Sequence, residues 1–333
     1  MNKAGLRSSI QALIVRKHGG PDVFERGEIE LPEPGHGEIR VRLQAIGINR
    51  RDALIRAGIY KRPLPLIPGI EGAGFVDAVG EGVASWRVGQ RVVYYVPDRL
   101  GAYAEAQVVP ADRAVELPDA MSFQHAVSIF DHALTAHYLT TSTFPLRPGH
   151  RVLVQAAAGG VGSLIVQMAK RFGAKVYGTV SSPEKASLIK RLGADEAILY
   201  RDTDTVEAVE RMTAREGVHV VYDSTGKDTI EASLRCLSTR GMLVLYGQSS
   251  GPVRSIDPAE LADHGSLFFT RPHLLDHITP WAQLKQRSDE IFAWSLSGEL
   301  TVEVGGIFNF DGIAAAHRRL EDRSVWGKLI LVP

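Results

Sequence analysis

Residues 39–44 alternate apolar with charged or polar side chains, the pattern of a strand that buries one face. Residues 92–96 and 106–109 are short β-rich runs. Proline and glycine punctuation separates these segments, at Pro32, Pro34 and Gly35 and again at Pro63, Pro65, Pro68 and Gly69. To about residue 130 the pattern therefore predicts mostly antiparallel β structure with many loops. After about His132 the character changes. Compact runs at 151–155, 175–180, 196–199, 219–222 and 242–246 read as strands, and the segments 163–172, 184–192, 206–215 and 230–237 between them read as helices. Strands alternating with helices of about ten residues imply right-handed crossovers and a parallel sheet. The alternation stops near Pro272, and a long helix around 284–297 and a short strand at 329–332 close the chain.

The most informative segment is Val152-Leu153-Val154-Gln155-Ala156-Ala157-Ala158-Gly159-Gly160-Val161-Gly162, which runs out of a strand and into a helix. It resembles the Rossmann fingerprint G-x-G-x-x-G, with Ala157 in the first glycine's place, followed by Gly159 and Gly162. Such a turn lets the backbone approach a pyrophosphate closely, and the helix start offers unpaired N–H groups and partial positive charge. Ala158, Gly159, Gly160, Val161 and Gly162 are thus candidate phosphate-binding residues. An NAD-binding chain places Asp or Glu at the end of the second strand to hold the ribose hydroxyls. This chain reads Thr179-Val180-Ser181-Ser182-Pro183-Glu184-Lys185 there. With no carboxylate directly after the strand, Ser181 and Lys185 suit a 2′-phosphate, and the expected cofactor is NADPH. Glu184 is the counterargument, but it lies beyond Pro183 at a predicted helix start.

Composition narrows the partners. The 333 residues carry 38 basic and 38 acidic side chains, a balance that argues against a nucleic-acid partner. Hydrophobic residues at 44% and charged residues at 23% are ordinary for a globular protein. The single cysteine, Cys236, permits no intrachain disulfide and no multi-cysteine metal site. Near the N-terminus the only apolar run is 12–15, too short for a signal peptide, and no stretch reaches the length of a membrane span. The expectation is a soluble, cytoplasmic protein with no membrane contact.

The segments Val221-Tyr222-Asp223-Ser224-Thr225-Gly226 and Gly247-Gln248-Ser249-Ser250-Gly251, together with the glycine turn, resemble the medium-chain dehydrogenase/reductase superfamily. Within it the chain is similar to the quinone oxidoreductases related to zeta-crystallin. Ala45-Ile46-Gly47-Ile48-Asn49, Asp52, Arg56, Gly58, Tyr60, Pro68-Gly69-Ile70-Glu71-Gly72-Ala73-Gly74, Gly101-Ala102-Tyr103-Ala104-Glu105 and Thr270-Arg271-Pro272 carry the likeness through the rest of the chain. The resemblance implies an α/β protein with a doubly wound Rossmann sheet at 132–273. A GroES-like, mostly β domain would be formed by 1–131 and 274–333, with the active site in the cleft between the two and a homodimer as the usual assembly. By matching positions, Tyr200 is expected beside Lys185 near the adenine ribose. Ser224, Tyr246, Gly247, Gln248 and Ser249 are expected along the cofactor, and Asn49, Thr135 and Tyr138 near the nicotinamide end.

Departures from the superfamily's zinc-dependent members bear on the chemistry. Those relatives carry cysteine where Asn49 stands and Gly-His-Glu where this chain has Gly69-Ile70-Glu71, so two zinc ligands are missing and no metal is expected. His273 and His277 flank Asp276 at a ligand-like spacing but read better as surface or packing residues. Asp131 and His132 replace a lysine-bearing stretch common in close relatives. Without a strong Lewis acid, hydride transfer favours a conjugated acceptor that delocalises charge, a quinone or an enone. Tyr60 is the candidate to bond the acceptor oxygen or relay a proton, Asn49 the candidate to orient substrate or cofactor, and Arg50 and Arg51 could attract an anionic acceptor. Three readings remain open: an NADPH-dependent quinone reductase; a reductase of α,β-unsaturated aldehydes, acids or thioesters; and a catalytically silent NADPH-binding protein of crystallin-like or RNA-binding type.

Overall fold

The structure, a computed structural model, describes residues 9–322 and 327–333. In chain order it opens with β1 (Ser9–Val15), β2 (Phe24–Glu30), β3 (Glu38–Ile48), α1 (Arg50–Arg56), β4 (Glu71–Val79), β5 (Arg91–Tyr95), β6 (Ala106–Pro110), β7 (Ala114–Glu116) and α2 (Phe123–Tyr138). There follow β8 (Arg151–Val154), α3 (Gly160–Arg171), β9 (Lys175–Val180), α4 (Pro183–Arg191), β10 (Glu196–Leu199), α5 (Thr205–Met212), β11 (Val218–Asp223), α6 (Ile230–Arg235), β12 (Leu237–Leu245), α7 (Pro258–Asp263), β13 (Phe268–Thr270) and α8 (Leu274–Ile278). The chain closes with α9 (Trp281–Leu296), β14 (Val304–Phe308), α10 (Ile313–Glu321) and β15 (Lys328–Leu331).

Two compact units result. The first takes the described residues up to Asp131 together with Leu284–Phe292 and the described part of 302–333. Its main sheet runs β14-β15-β3-β4-β5-β7, with β6 also paired to β3. The strand read from alternation at 39–44 is the middle of β3, which pairs with β4, β6 and β15. Ile39, Val41 and Leu43 point into the core beside Trp86, Tyr94 and Tyr103. The polar face is not a solvent face throughout: Arg40 is buried, bonding Asp77 at 2.7 Å and Glu33 at 2.9 Å. Helix α1, inside the proline- and glycine-punctuated stretch, was not expected there. It starts because the Asp52 carboxylate reaches back to accept the Asn49 N–H at 2.9 Å, as an N3 acidic residue does.

The second unit comprises His132–Gln283 and Ala293–Thr301. The resemblance implies that everything from residue 274 onward joins the β domain; residues 274–283 and 293–301 instead group with the parallel sheet. That sheet has six strands in the order β10-β9-β8-β11-β12-β13, all parallel, the 3-2-1-4-5-6 order of a Rossmann fold. Its central strands β8 and β11 are buried on both faces, which explains why residues 151–155 and 219–222 read as apolar runs rather than alternations. The helix expected at 230–237 ends at Arg235, because Leu237 already pairs with Val218 as the first residue of β12.

Candidate functional site

In the second unit the turn after β8 is held by its own geometry. The sequence put the tight position at Ala157, but the left-handed residue is Ala156, with φ of 53°. Ala157 is buried and packs against the position of Gly178, where an added Cβ would lie 2.6 Å from that of Ala157. Gly162 must be glycine because a Cβ there would meet the Ala156 carbonyl oxygen at 2.5 Å. Helix α3 begins at Gly160, and its N-cap Gly159 provides no side-chain cap. Among the described residues, Ala158, Gly160, Val161 and Gly162 direct no backbone N–H to a protein acceptor. The first turn of a twelve-residue helix is therefore open to an anion.

Most of the remaining residues expected in this unit follow the carboxyl ends of strands. Ser181 follows β9, and its Oγ accepts a bond from Lys185 Nζ at 3.2 Å. Ser182 caps α4 with Pro183 at the first helical position, and Glu184 lies within that helix. Tyr200, half exposed, follows β10, and its N–H bonds the Val180 carbonyl at 3.3 Å, which sets it beside Ser181. Ser224 follows β11; its carbonyl accepts the Ser249 N–H at 3.1 Å, and a Cβ on Gly247 would meet that carbonyl oxygen at 2.6 Å. Tyr246 is buried, which pushes its phenol well above the ordinary range. Thr135 and Tyr138 lie on the last turns of α2, and Tyr138 stacks on His277 with centroids 4.2 Å apart. His277 thus has a packing partner, and among the described residues no cluster of three His, Cys, Asp or Glu forms a cation site.

In the first unit Asn49 belongs to a buried polar cluster that the sequence did not reveal. Lys328 Nζ, on β15, donates to Asn49 Oδ1 at 2.6 Å and to Glu71 Oε2 at 2.8 Å, and both members of the ion pair are almost wholly buried. Asn49 Nδ2 donates to the same Glu71 oxygen at 3.2 Å, and the other Glu71 oxygen accepts the Asp131 N–H at 2.9 Å. The packing leaves no room for a side chain at Gly47, where a Cβ would collide with the Glu71 carboxylate. Asp52 extends the cluster, accepting from Asn49 N–H and from Tyr103 Oη at 3.2 Å. Its Oδ1 is buried without a partner, and burial pushes the carboxyl up to about 7. Burial and the neighbouring Glu71 push Asp131 up to about 7 as well. Tyr60 packs on Val15, Ile55 and Leu66 with the Arg51 guanidinium 6.0 Å from its ring centroid. Glu71 and Lys328 are 257 residues apart in the chain, so no local signal joins them.

A six-stranded parallel sheet with a glycine turn at its first crossover, carried on one chain with a GroES-like β unit, defines the architecture of the medium-chain dehydrogenases/reductases. Residues 35–119 match the alcohol dehydrogenase GroES-like domain, and residues 160–277 match the family described as zinc-binding dehydrogenase. A quinone oxidoreductase of Salmonella typhimurium is 44% identical over 95% of this chain and 98% of its own. A 2-haloacrylate reductase of a Burkholderia species is 38% identical over 97% and 99%. The crystal structure of Escherichia coli quinone oxidoreductase complexed with NADPH superimposes with a TM-score of 0.93 at 41% identity, covering 97% of this chain and all of that one. The chain belongs to the quinone oxidoreductase family of the medium-chain dehydrogenases/reductases.

Proposed function

We propose that this protein is an NADPH-dependent quinone reductase that converts a quinone, NADPH and a proton to hydroquinone and NADP⁺. The observation that carries the cofactor choice is the corner after β9. Lys185 Nζ and Ser181 Oγ stand 3.2 Å apart there, where an NAD enzyme places a carboxylate. The open first turn of α3, whose glycines no side chain can replace without a clash at Gly162, fits a pyrophosphate. When bound, NADPH supplies the hydride. Ser181, Lys185 and Tyr200 would hold the adenine end and residues 158–162 the pyrophosphate; Ser224 and Tyr246–Ser249 would line the cofactor, and Thr135 and Tyr138 would approach the nicotinamide. We assign Tyr60 to the acceptor oxygen. Asn49, whose carboxamide is engaged by Lys328 and Glu71, keeps the polar cluster in place.

The chemistry is read as zinc-independent. The two oxygens that face each other at this point, Asn49 Oδ1 and Glu71 Oε2, both bond the Lys328 ammonium, so a positive charge is already seated between them. Elemental analysis of the purified protein is expected to find no stoichiometric zinc, and a bound equivalent would overturn that reading. The second reading, reduction of an activated alkene, is favoured by the likeness to the 2-haloacrylate reductase. An NADPH-oxidation screen across quinones, alkenals and acrylates decides between them: quinones are expected to turn over fastest, and no oxidation with any of the three classes would sink both. The lone, buried Cys236 suits a reducing cytoplasm, and no helix among the described residues is long and apolar enough to cross a membrane.

A further inference from the structure

The phosphate turn is tied to the rest of its sheet by a continuous chain of buried hydrogen bonds. Ala156 N–H donates to Thr179 Oγ1 at 3.1 Å, and the Thr179 hydroxyl donates to Gln155 Oε1 at 2.7 Å. Gln155 Nε2 donates to Ser233 Oγ at 3.1 Å, and the Ser233 hydroxyl donates to Asp223 Oδ2 at 2.8 Å. Asp223 also accepts from Thr229 Oγ1 at 2.7 Å and from the N–H groups of Thr225 and Gly226 at 2.7 and 3.0 Å. Thr179, Gln155, Ser233 and Asp223 are all buried. Both ends dictate the orientation of the Gln155 amide, since Thr179 must give its proton to an oxygen and Ser233 must receive one from a nitrogen. Every donor in the chain therefore points toward one carboxylate, the arrangement in which hydrogen bonds polarise one another.

The chain begins where the backbone is least comfortable. Left-handed backbone crowds the Cβ of a non-glycine residue, and Ala156 adopts it at the entrance to the turn. We propose that the Thr179–Gln155–Ser233–Asp223 chain positions this turn, so that Thr179 and Gln155 set its affinity for the pyrophosphate of a dinucleotide. The inference rests on the reading of the turn as the NADPH site and makes these residues positioning residues rather than ligands. Thr179 has a particular place in it, because Ser181, two residues on, opens the corner assigned to the 2′-phosphate.

The test uses the full chain and three variants: Thr179→Val, which keeps the shape and removes the hydroxyl, Thr179→Ser, which restores it, and Gln155→Met, which breaks the chain one link further on. Calorimetric titration would give the Kd for NADPH and for adenosine 2′-phosphate, which has no pyrophosphate. Thr179→Val leaves the Ala156 N–H and Gln155 Oε1 both buried without a partner, so its NADPH affinity is expected to fall about ten-fold or more. Its affinity for adenosine 2′-phosphate is expected to stay within about two-fold, the scatter expected for a contact left untouched. Thr179→Ser is expected to recover NADPH binding, and Gln155→Met to repeat the selective loss, which carries the test if Thr179→Val does not fold. Unchanged NADPH affinity in the folded variants overturns the inference, as does an equal loss for both ligands. A wild-type chain that binds no NADPH would instead overturn the cofactor reading beneath it.

Discussion

Lys185 donates to Ser181 at the corner after β9, and nucleotide preference should turn on it. Removing a hydrogen bond to a charged group costs about 1.5–3 kcal/mol, or roughly ten- to a hundred-fold in affinity. Lys185→Ala is therefore expected to weaken NADPH by about that factor while leaving NADH nearly unchanged, as measured by direct titration with each; an unaltered preference would count against the phosphate role. Asp52 makes a different prediction. Its carboxyl keeps its proton up to about 7 in the folded protein against an ordinary value of 3.8, first because it is buried. A raised carboxyl contributes stability that is fully present below the ordinary value and is lost as pH rises through the folded one. Asp52→Asn does not titrate. Its unfolding free energy is therefore expected to gain on the wild type's as pH rises from about 4 to about 7 in denaturant titrations. A constant difference across that window would contradict the assignment.

At the scale of elements, the β8–α3 turn and α1 show how differently local sequence speaks. The turn was legible because close backbone approach demands glycine, and at Gly162 that demand is literal. A methyl group there would press on the Ala156 carbonyl, backbone against backbone. Gly162→Ala is expected to lower the melting temperature and to weaken NADPH binding about ten-fold or more, the effect of shifting a helix start whose N–H groups we propose hold the phosphates. A variant with wild-type melting and affinity would show that the turn relaxes freely. Helix α1 is not legible by pattern although Asn49 and Asp52 spell its start, because one short helix among prolines and glycines has too few residues to show a period. The end of α6 is illegible for another reason: Leu237 carries no signal of its own, and its pairing with Val218 on β11 decides that it is strand.

For the whole molecule the prediction concerns assembly. Among the described residues β13 forms one edge of the parallel sheet and carries the half-exposed Phe268, an edge of the kind a second copy can extend. The expected homodimer is testable by sedimentation: the wild type should run as a dimer and Phe268→Asp should shift toward monomer, whereas a monomeric wild type would end the proposal.

The sequence by itself determined the class. Periodicity changed near residue 132, glycines marked the turn, and a missing carboxylate after β9 chose the nucleotide, because each of these is a local demand of backbone geometry or charge. Tertiary structure decided what stands around Asn49 and what stands behind the turn. Lys328 meets Glu71 only because β15 returns to pair with β3, and Thr179 meets Gln155 only because β8 and β9 lie side by side. Buried polar groups must find partners, but which partner each one finds depends on strand order and register, and these are settled between segments far apart in the chain.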